Sequence, residues 1–124
     1  MELKLRKKYR YIIYKLNDDN TAIVIEKKVE SCDEYEAFLG ELPENDCRYV
    51  VYDFEFEKSP GEGFRNKICF IVWVPDTSKV RQKMLYASSK DAIRKKLAGV
   101  ATEIQATDMS EVSHEAVLEK VKSH

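Results

Sequence analysis

The chain has 124 residues, 44% of them hydrophobic and 35% charged, with a formal net charge of −1. That length fits a single domain over residues 1–124 that buries roughly 65% of its unfolded surface, and the composition excludes a disordered tail. No apolar run approaches the ~20 residues that span a bilayer, residues 1–8 lack the apolar stretch of a secretion signal, and three scattered cysteines, Cys32, Cys47 and Cys69, point to free thiols in a reducing compartment, the cytosol.

In chain order, residues 9–16 are β-branched and aromatic and predict a strand. Asn17-Asp18-Asp19-Asn20 signals a turn, and residues 22–28 predict a second strand, so the pair forms a hairpin. Ser31-Cys32-Asp33-Glu34 has the S-x-x-E form of a capping box. Tyr35, Phe38, Leu39 and Leu42 follow at helical spacing, and Pro43 stops the helix. Residues 47–56 predict a long strand with aromatic residues on both faces, and residues 58–66, with Pro60, Gly61 and Gly63, predict a flexible turn. The nearly all-apolar residues 67–74 read as a central strand covered on both sides.

Residues 78–97 predict the longest helix, capped by Thr77 or Ser78 and ended by Gly99. Residues 100–107 alternate as a strand. Asp108-x-x-Glu111 resembles a second capping box, and Val117, Leu118 and Val121 give the last helix an apolar face. The resulting order, ββαββαβα, is best satisfied by an α+β fold in which a mixed sheet lies between helices.

Charge is balanced overall but not locally. Residues 30–57 carry ten acidic residues against Arg48 alone, whereas residues 79–96 carry seven basic residues against Asp91. Such blocks fit either solvated helix faces or a bipolar field that meets nucleic acid, anionic lipid or an acidic protein. The long helix sharpens the question. Val80, Met84 and Ala87 form one apolar stripe; Tyr86, Ile93 and Leu97 form another, about a third of a turn away at 100° per residue. A straight helix on a sheet cannot bury both. Either it bends near Ser88-Ser89, or one stripe is left for a partner. Lys83, Lys90 and Arg94 run along one side of it. Met84 beside this ridge fits a soft apolar knob with steering charges, or a core residue beside solvated lysines.

Catalytic equipment is sparse. His114 and His124 are the only histidines, and no zinc-type His/Cys cluster occurs. Gly61-Glu62-Gly63 lies between strands, not at a phosphate-binding helix entry. Asp53 and Glu55 share a strand face and read as a solvated edge or an ion pair. The pattern points to a binding protein with no metal and no cofactor, not to an enzyme.

Several segments resemble the actin-depolymerising factor/cofilin family. They are Phe38-Leu39-Gly40-Glu41-Leu42-Pro43, Asp46-Cys47-Arg48-Tyr49, Tyr52-Asp53-Phe54-Glu55 and Trp73-Val74-Pro75-Asp76. The most specific is Lys83-Met84-Leu85-Tyr86-Ala87-Ser88-Ser89-Lys90-Asp91, followed by Arg94-Lys95 and Glu103-Ile104-Gln105-Ala106-Thr107-Asp108. The ending Ser110-Glu111-Val112-Ser113 with Val117-Leu118-Glu119 is most similar to fungal cofilins.

The resemblance implies an actin-depolymerising-factor-homology (gelsolin-like) fold. It also implies binding to monomeric and filamentous actin, preferentially ADP-bound, with filament severing and depolymerisation in the cytoplasmic actin cytoskeleton and in the nucleus. In the family the long helix is kinked and enters a cleft between two actin subdomains. By matching position, Arg81, Lys83, Met84, Arg94 and Lys95 would contact actin in either form, and Arg65, Lys67, Glu119 and Lys120 would form a filament-only surface. Anionic phosphoinositides are an expected second partner; nucleic acid is not. Two alternatives are a relative acting on branched-actin junctions and a phosphoinositide-binding module using the same basic helix. The family pattern usually begins about one helix before Met1, which implies a shortened start, a partly bare sheet face and self-association through it. Lys122-Ser123 departs from the family's more basic ending.

Overall fold

A computed structural model describes residues 9–31, 34–57, 59–97 and 99–122. The expected shortened start lies outside the described residues. The element order is β1 (Tyr11–Leu16), β2 (Ile23–Val29), α1 (Tyr35–Leu39), β3 (Arg48–Glu57), β4 (Phe64–Trp73), α2 (Val80–Arg94), β5 (Val100–Ala106), a short 3-10 helix (Met109–Val112) and α3 (His114–Lys122). The predicted ββαββαβα order is therefore observed, with the 3-10 helix inserted before α3.

The strands form one sheet in the order β2-β1-β3-β4-β5. Three pairings are antiparallel, and β4–β5 is parallel. A parallel pair cannot be joined by a tight turn and needs a crossover. Here α2 is that crossover, which commits it to one face of the sheet.

Strand alternation divides the apolar side chains between two cores. On one face Tyr11, Tyr52, Phe54, Phe56, Ile71 and Trp73 pack under α1, the 3-10 helix and α3, which contribute Tyr35, Phe38, Val112, Val117 and Val121. On the other, Tyr14, Tyr49, Val51, Phe70 and Val72 pack under Tyr86, Ile93 and Leu97 from α2 and its end. β3 and β4 are buried on both sides over residues 49–52 and 69–73, which is why both read as continuous apolar runs.

Turn chemistry explains the first hairpin. Asn17 Oδ1 accepts bonds from the backbone N–H of Thr21 (2.9 Å) and Ala22 (3.3 Å). Asn20 takes φ +58°, a left-handed conformation that asparagine tolerates. The second predicted turn is shorter than residues 58–66, because β4 already starts at Phe64, opposite Glu57.

Helix ends depart most from the sequence expectation. Glu34 is extended (φ −130°, ψ 135°) and precedes α1, so it cannot serve as the third helical residue of a capping box beginning at Ser31; Cys32 and Asp33 lie outside the described residues. Lys79, not Thr77 or Ser78, occupies the N-cap of α2. Thr77 Oγ1 instead donates to the Glu44 carbonyl at 2.9 Å. α2 stops at Arg94, before Leu97, as Lys96 and Leu97 donate to carbonyls only three residues back. Gly99, at φ +77°, then turns the chain into β5. The second capping motif forms in altered shape: Asp108 Oδ1 accepts from Glu111 N–H at 3.3 Å, while Glu111 Oε1 accepts at 2.9 Å from the N–H of Thr107, one residue before the N-cap. It starts the 3-10 helix, while Ser113 Oγ caps α3 by accepting from Ala116 N–H at 3.2 Å.

Tyr86 fixes α2 to the sheet. Its ring is buried against Tyr49 at 5.0 Å between centroids. Its hydroxyl accepts the Leu16 N–H at 2.8 Å, and its carbonyl accepts the Tyr49 hydroxyl. Replacing Tyr86 with Phe would leave the buried Leu16 N–H unpaired, at a cost of about 1–3 kcal/mol. Urea denaturation should show that loss; an unchanged unfolding free energy would contradict the anchoring role.

Candidate functional site

With Tyr86, Ile93 and Leu97 turned to the sheet, the opposite side of α2 faces outward. Val80 is 71% and Met84 67% exposed, and Ala87 is exposed as well. The two apolar stripes are therefore resolved by exposure of one. The α2 helix runs continuously through Ser88-Ser89, where Ser88 Oγ donates to the Leu85 carbonyl at 3.1 Å. An exposed methionine four residues from an exposed valine is a small apolar ridge that the fold itself does not use.

Arg81, Lys83, Met84 and Arg94 stand on α2, and Lys95 is its C-cap residue, so the helix brings all five predicted contacts together. Their surroundings differ. Arg81 and Lys95 are exposed and form no ion pair among the described residues. Lys83 Nζ donates to the Asp76 carbonyl at 2.6 Å, fastening α2 to the turn before it. Lys90 and Arg94 reach Glu103 on β5, at 3.1 and 3.7 Å. The predicted Lys83–Lys90–Arg94 side thus exists as a flank that leans on residues 76 and 103, beside the outward ridge.

The second predicted group is also assembled. Arg65 and Lys67 lie on β4, and Glu119 and Lys120 on α3. Lys67 Nζ donates to the Val121 carbonyl at 2.9 Å and sits 6.0 Å from the Phe56 ring centre. A cation at the carbonyl end of a helix is favoured by the helix dipole. This contact ties β4 to the last turn of α3. Arg65, Glu119 and Lys120 are exposed, whereas Lys67 is half-buried. By strand alternation Arg65 and Lys67 share the face of Cys69, the α3 face. The two groups consequently lie on opposite faces of the sheet.

Three exposed or bridging residues lie outside the predicted contacts. Val80 precedes Met84 by one turn, so the stripe itself was the signal. Phe64, 69% exposed, falls in residues assigned to a turn. Glu103 was legible only as part of a motif, because its partners lie across the crossover.

The remaining candidates are not brought together into a site among the described residues. His114 starts α3, exposed, with its ring 5.2 Å from Phe54 and 5.6 Å from Tyr35. Asp53 Oδ1 accepts from Asn66 Nδ2 at 3.1 Å, and no bond pairs it with Glu55. Cys47 and Cys69 are buried free thiols. Burial pushes the Cys69 thiol up to about 12, the reverse of an activated nucleophile. Among the described residues no group of three His, Cys, Asp or Glu side chains could hold a metal ion. Cys32 and His124 lie outside the described residues.

The chain as a whole is similar to known proteins. Residues 1–122 match the family described as cofilin/tropomyosin-type actin-binding protein. A cofilin of Yarrowia lipolytica is 61% identical over 120 residues, 97% of this chain and 78% of the relative. The crystal structure of a cofilin from Streptomyces griseoflavus superposes with a TM-score of 0.86 at 53% identity, over 94% of this chain and 84% of that one. Actin depolymerization factor 2 of Plasmodium berghei superposes with a TM-score of 0.80 at 28% identity, over 92% and 83%.

Proposed function

The chain belongs to the cofilin/tropomyosin-type actin-binding family, and from that premise we propose that it binds monomeric and filamentous actin through α2 and weakens filaments through a second surface on β4 and α3. The observation that carries this reading is the Val80–Met84 ridge, exposed on a helix whose other side is locked to the sheet. A preorganised apolar ridge loses little freedom on docking and gains the full desolvation of a soft side chain. Arg81 beside it, and Lys95 at the far end of the helix, would steer encounter with an acidic partner.

Arg65, Glu119 and Lys120 would meet a neighbouring subunit that only the filament supplies. Two surfaces on opposite faces of one sheet can engage two subunits at once. Binding that favours a twisted arrangement shifts the filament toward it, and subunit contacts weaken without bond chemistry. No catalytic step is needed. The similarity to cofilins does not favour action at branched junctions.

Two further partners belong to the same reading. Exposed Lys95 and Lys96 at the end of α2 suit the clustered phosphates of phosphoinositides, which would then compete with actin. A second copy of this chain would seat in the groove between α2 and the β1–β2 hairpin. That groove, roughly 360 Å³, is walled by Leu16, Ile23 and Ile93, with the buried Tyr14 hydroxyl unpaired beside it.

Met84→Ala should weaken monomer binding by about 1–3 kcal/mol. Arg81→Glu should weaken both monomer and filament binding, and Arg65→Glu should weaken filament co-sedimentation alone. Equal losses in both assays for Arg65 and Arg81 would overturn the two-surface reading. Vesicles containing phosphatidylinositol bisphosphate should release bound actin monomer, and a Lys95→Glu/Lys96→Glu variant should resist them; equal release from both would place lipid elsewhere. Sedimentation equilibrium should show a concentration-dependent dimer that Ile23→Lys abolishes, and a monomer at every concentration would exclude self-association.

A further inference from the structure

Glu103 on β5 is the acidic group on which the flank of α2 converges. Its Oε2 lies 3.1 Å from Lys90 Nζ and accepts from Gln105 Nε2 at 3.3 Å, while its Oε1 lies 3.7 Å from Arg94 Nε. At 3.7 Å the Arg94 contact is an ion pair and not a hydrogen bond, with Nε the nearest guanidinium nitrogen. The two outer Nη groups donate no hydrogen bond among the described residues, and the side chain is 39% exposed.

We propose that Glu103 is a positioning residue for actin docking: its carboxylate pairs by charge with Arg94 on the Nε side, so that the outer Nη pair is presented as a ready fork for a carboxylate on actin. This rests on the reading that Arg94 contacts actin. The chemistry favours it. A guanidinium offers five donors in a rigid plane, and a carboxylate is best bound by two parallel bonds from one edge. An unrestrained arginine must give up rotamer freedom to present that edge, whereas one already held loses less on binding.

Burial disfavours the charge on Glu103, but the bonds from Lys90 and Gln105, with Arg94 nearby, outweigh it and hold the carboxyl below the ordinary glutamate range. The clamp thus stays ionised at neutral pH. At these exposures and distances the ion pairs contribute little to folding. The effect should instead appear in dissociation from actin, because a neighbour that only orients Arg94 matters once Arg94 is engaged.

A double-mutant cycle on the full chain, read by stopped-flow binding to actin monomer with thermal unfolding alongside, tests this. Glu103→Gln should weaken binding about fivefold through faster dissociation, with an unchanged melting temperature. In an Arg94→Ala background the same change should have no further effect, whereas in a Lys90→Ala background the loss should persist. A loss of equal size with and without Arg94, a lowered melting temperature accompanying it, or no loss in the parent would each overturn the proposal. Arg94→Ala binding like the parent would overturn the underlying assignment of Arg94 as a contact, an outcome the cycle separates from failure of the clamp alone.

Discussion

The rotational setting of α2 on the sheet decides what the molecule can present to a partner. Tyr86 imposes it. One side chain fills the core beside Tyr49, satisfies the Leu16 N–H and leaves its own carbonyl to the Tyr49 hydroxyl. Ile93 and Leu97 continue the same inward line. Each residue advances about 100° around the helix, so this choice forces Val80 and Met84 outward. The exposed ridge is a geometric consequence of burying the other one.

The cations of the two candidate surfaces divide by what they already touch. Lys83 ties α2 to the carbonyl of Asp76, and Lys67 ties β4 to the end of α3. Each places an element that bears candidate contacts. Arg81, Lys95 and Arg65 stand open to solvent. A basic residue at a matching family position can therefore act by holding the surface in shape as well as by touching the partner. Charge reversal at Lys67 would disturb α3 together with any direct contact, whereas Arg65 reports on the contact itself.

Much of the fold was legible because its signals are local. The β-branched and aromatic make-up of residues 9–16, the Asn/Asp turn after them, and the apolar runs of β3 and β4 each follow from short-range chemistry. The split stripe of α2 announced that one side lacked a core partner, without saying which. That choice came from Leu16 and Tyr49, which lie 70 and 37 residues from Tyr86 in the chain. Helix ends depart from their side-chain signals where backbone geometry outweighs them. Glu34 stays extended, and the last carbonyls of α2 are met by a tightened turn before Gly99 is reached. The Lys67–Val121 and Arg94–Glu103 contacts depend on packing between elements, and no periodicity encodes them. The specific site residues were legible through family resemblance and not through pattern.

The central claim is that the outward side of α2, with Met84 on its second turn, is the surface that docks on actin. Methionine oxidation footprinting tests it directly, because Met84 and Met109 are both exposed large apolar side chains and report separately. The account predicts that Met84 is oxidised readily in the free protein and is strongly protected in the complex with actin monomer. Oxidation of Met84 at the same rate in the free and bound protein would contradict it.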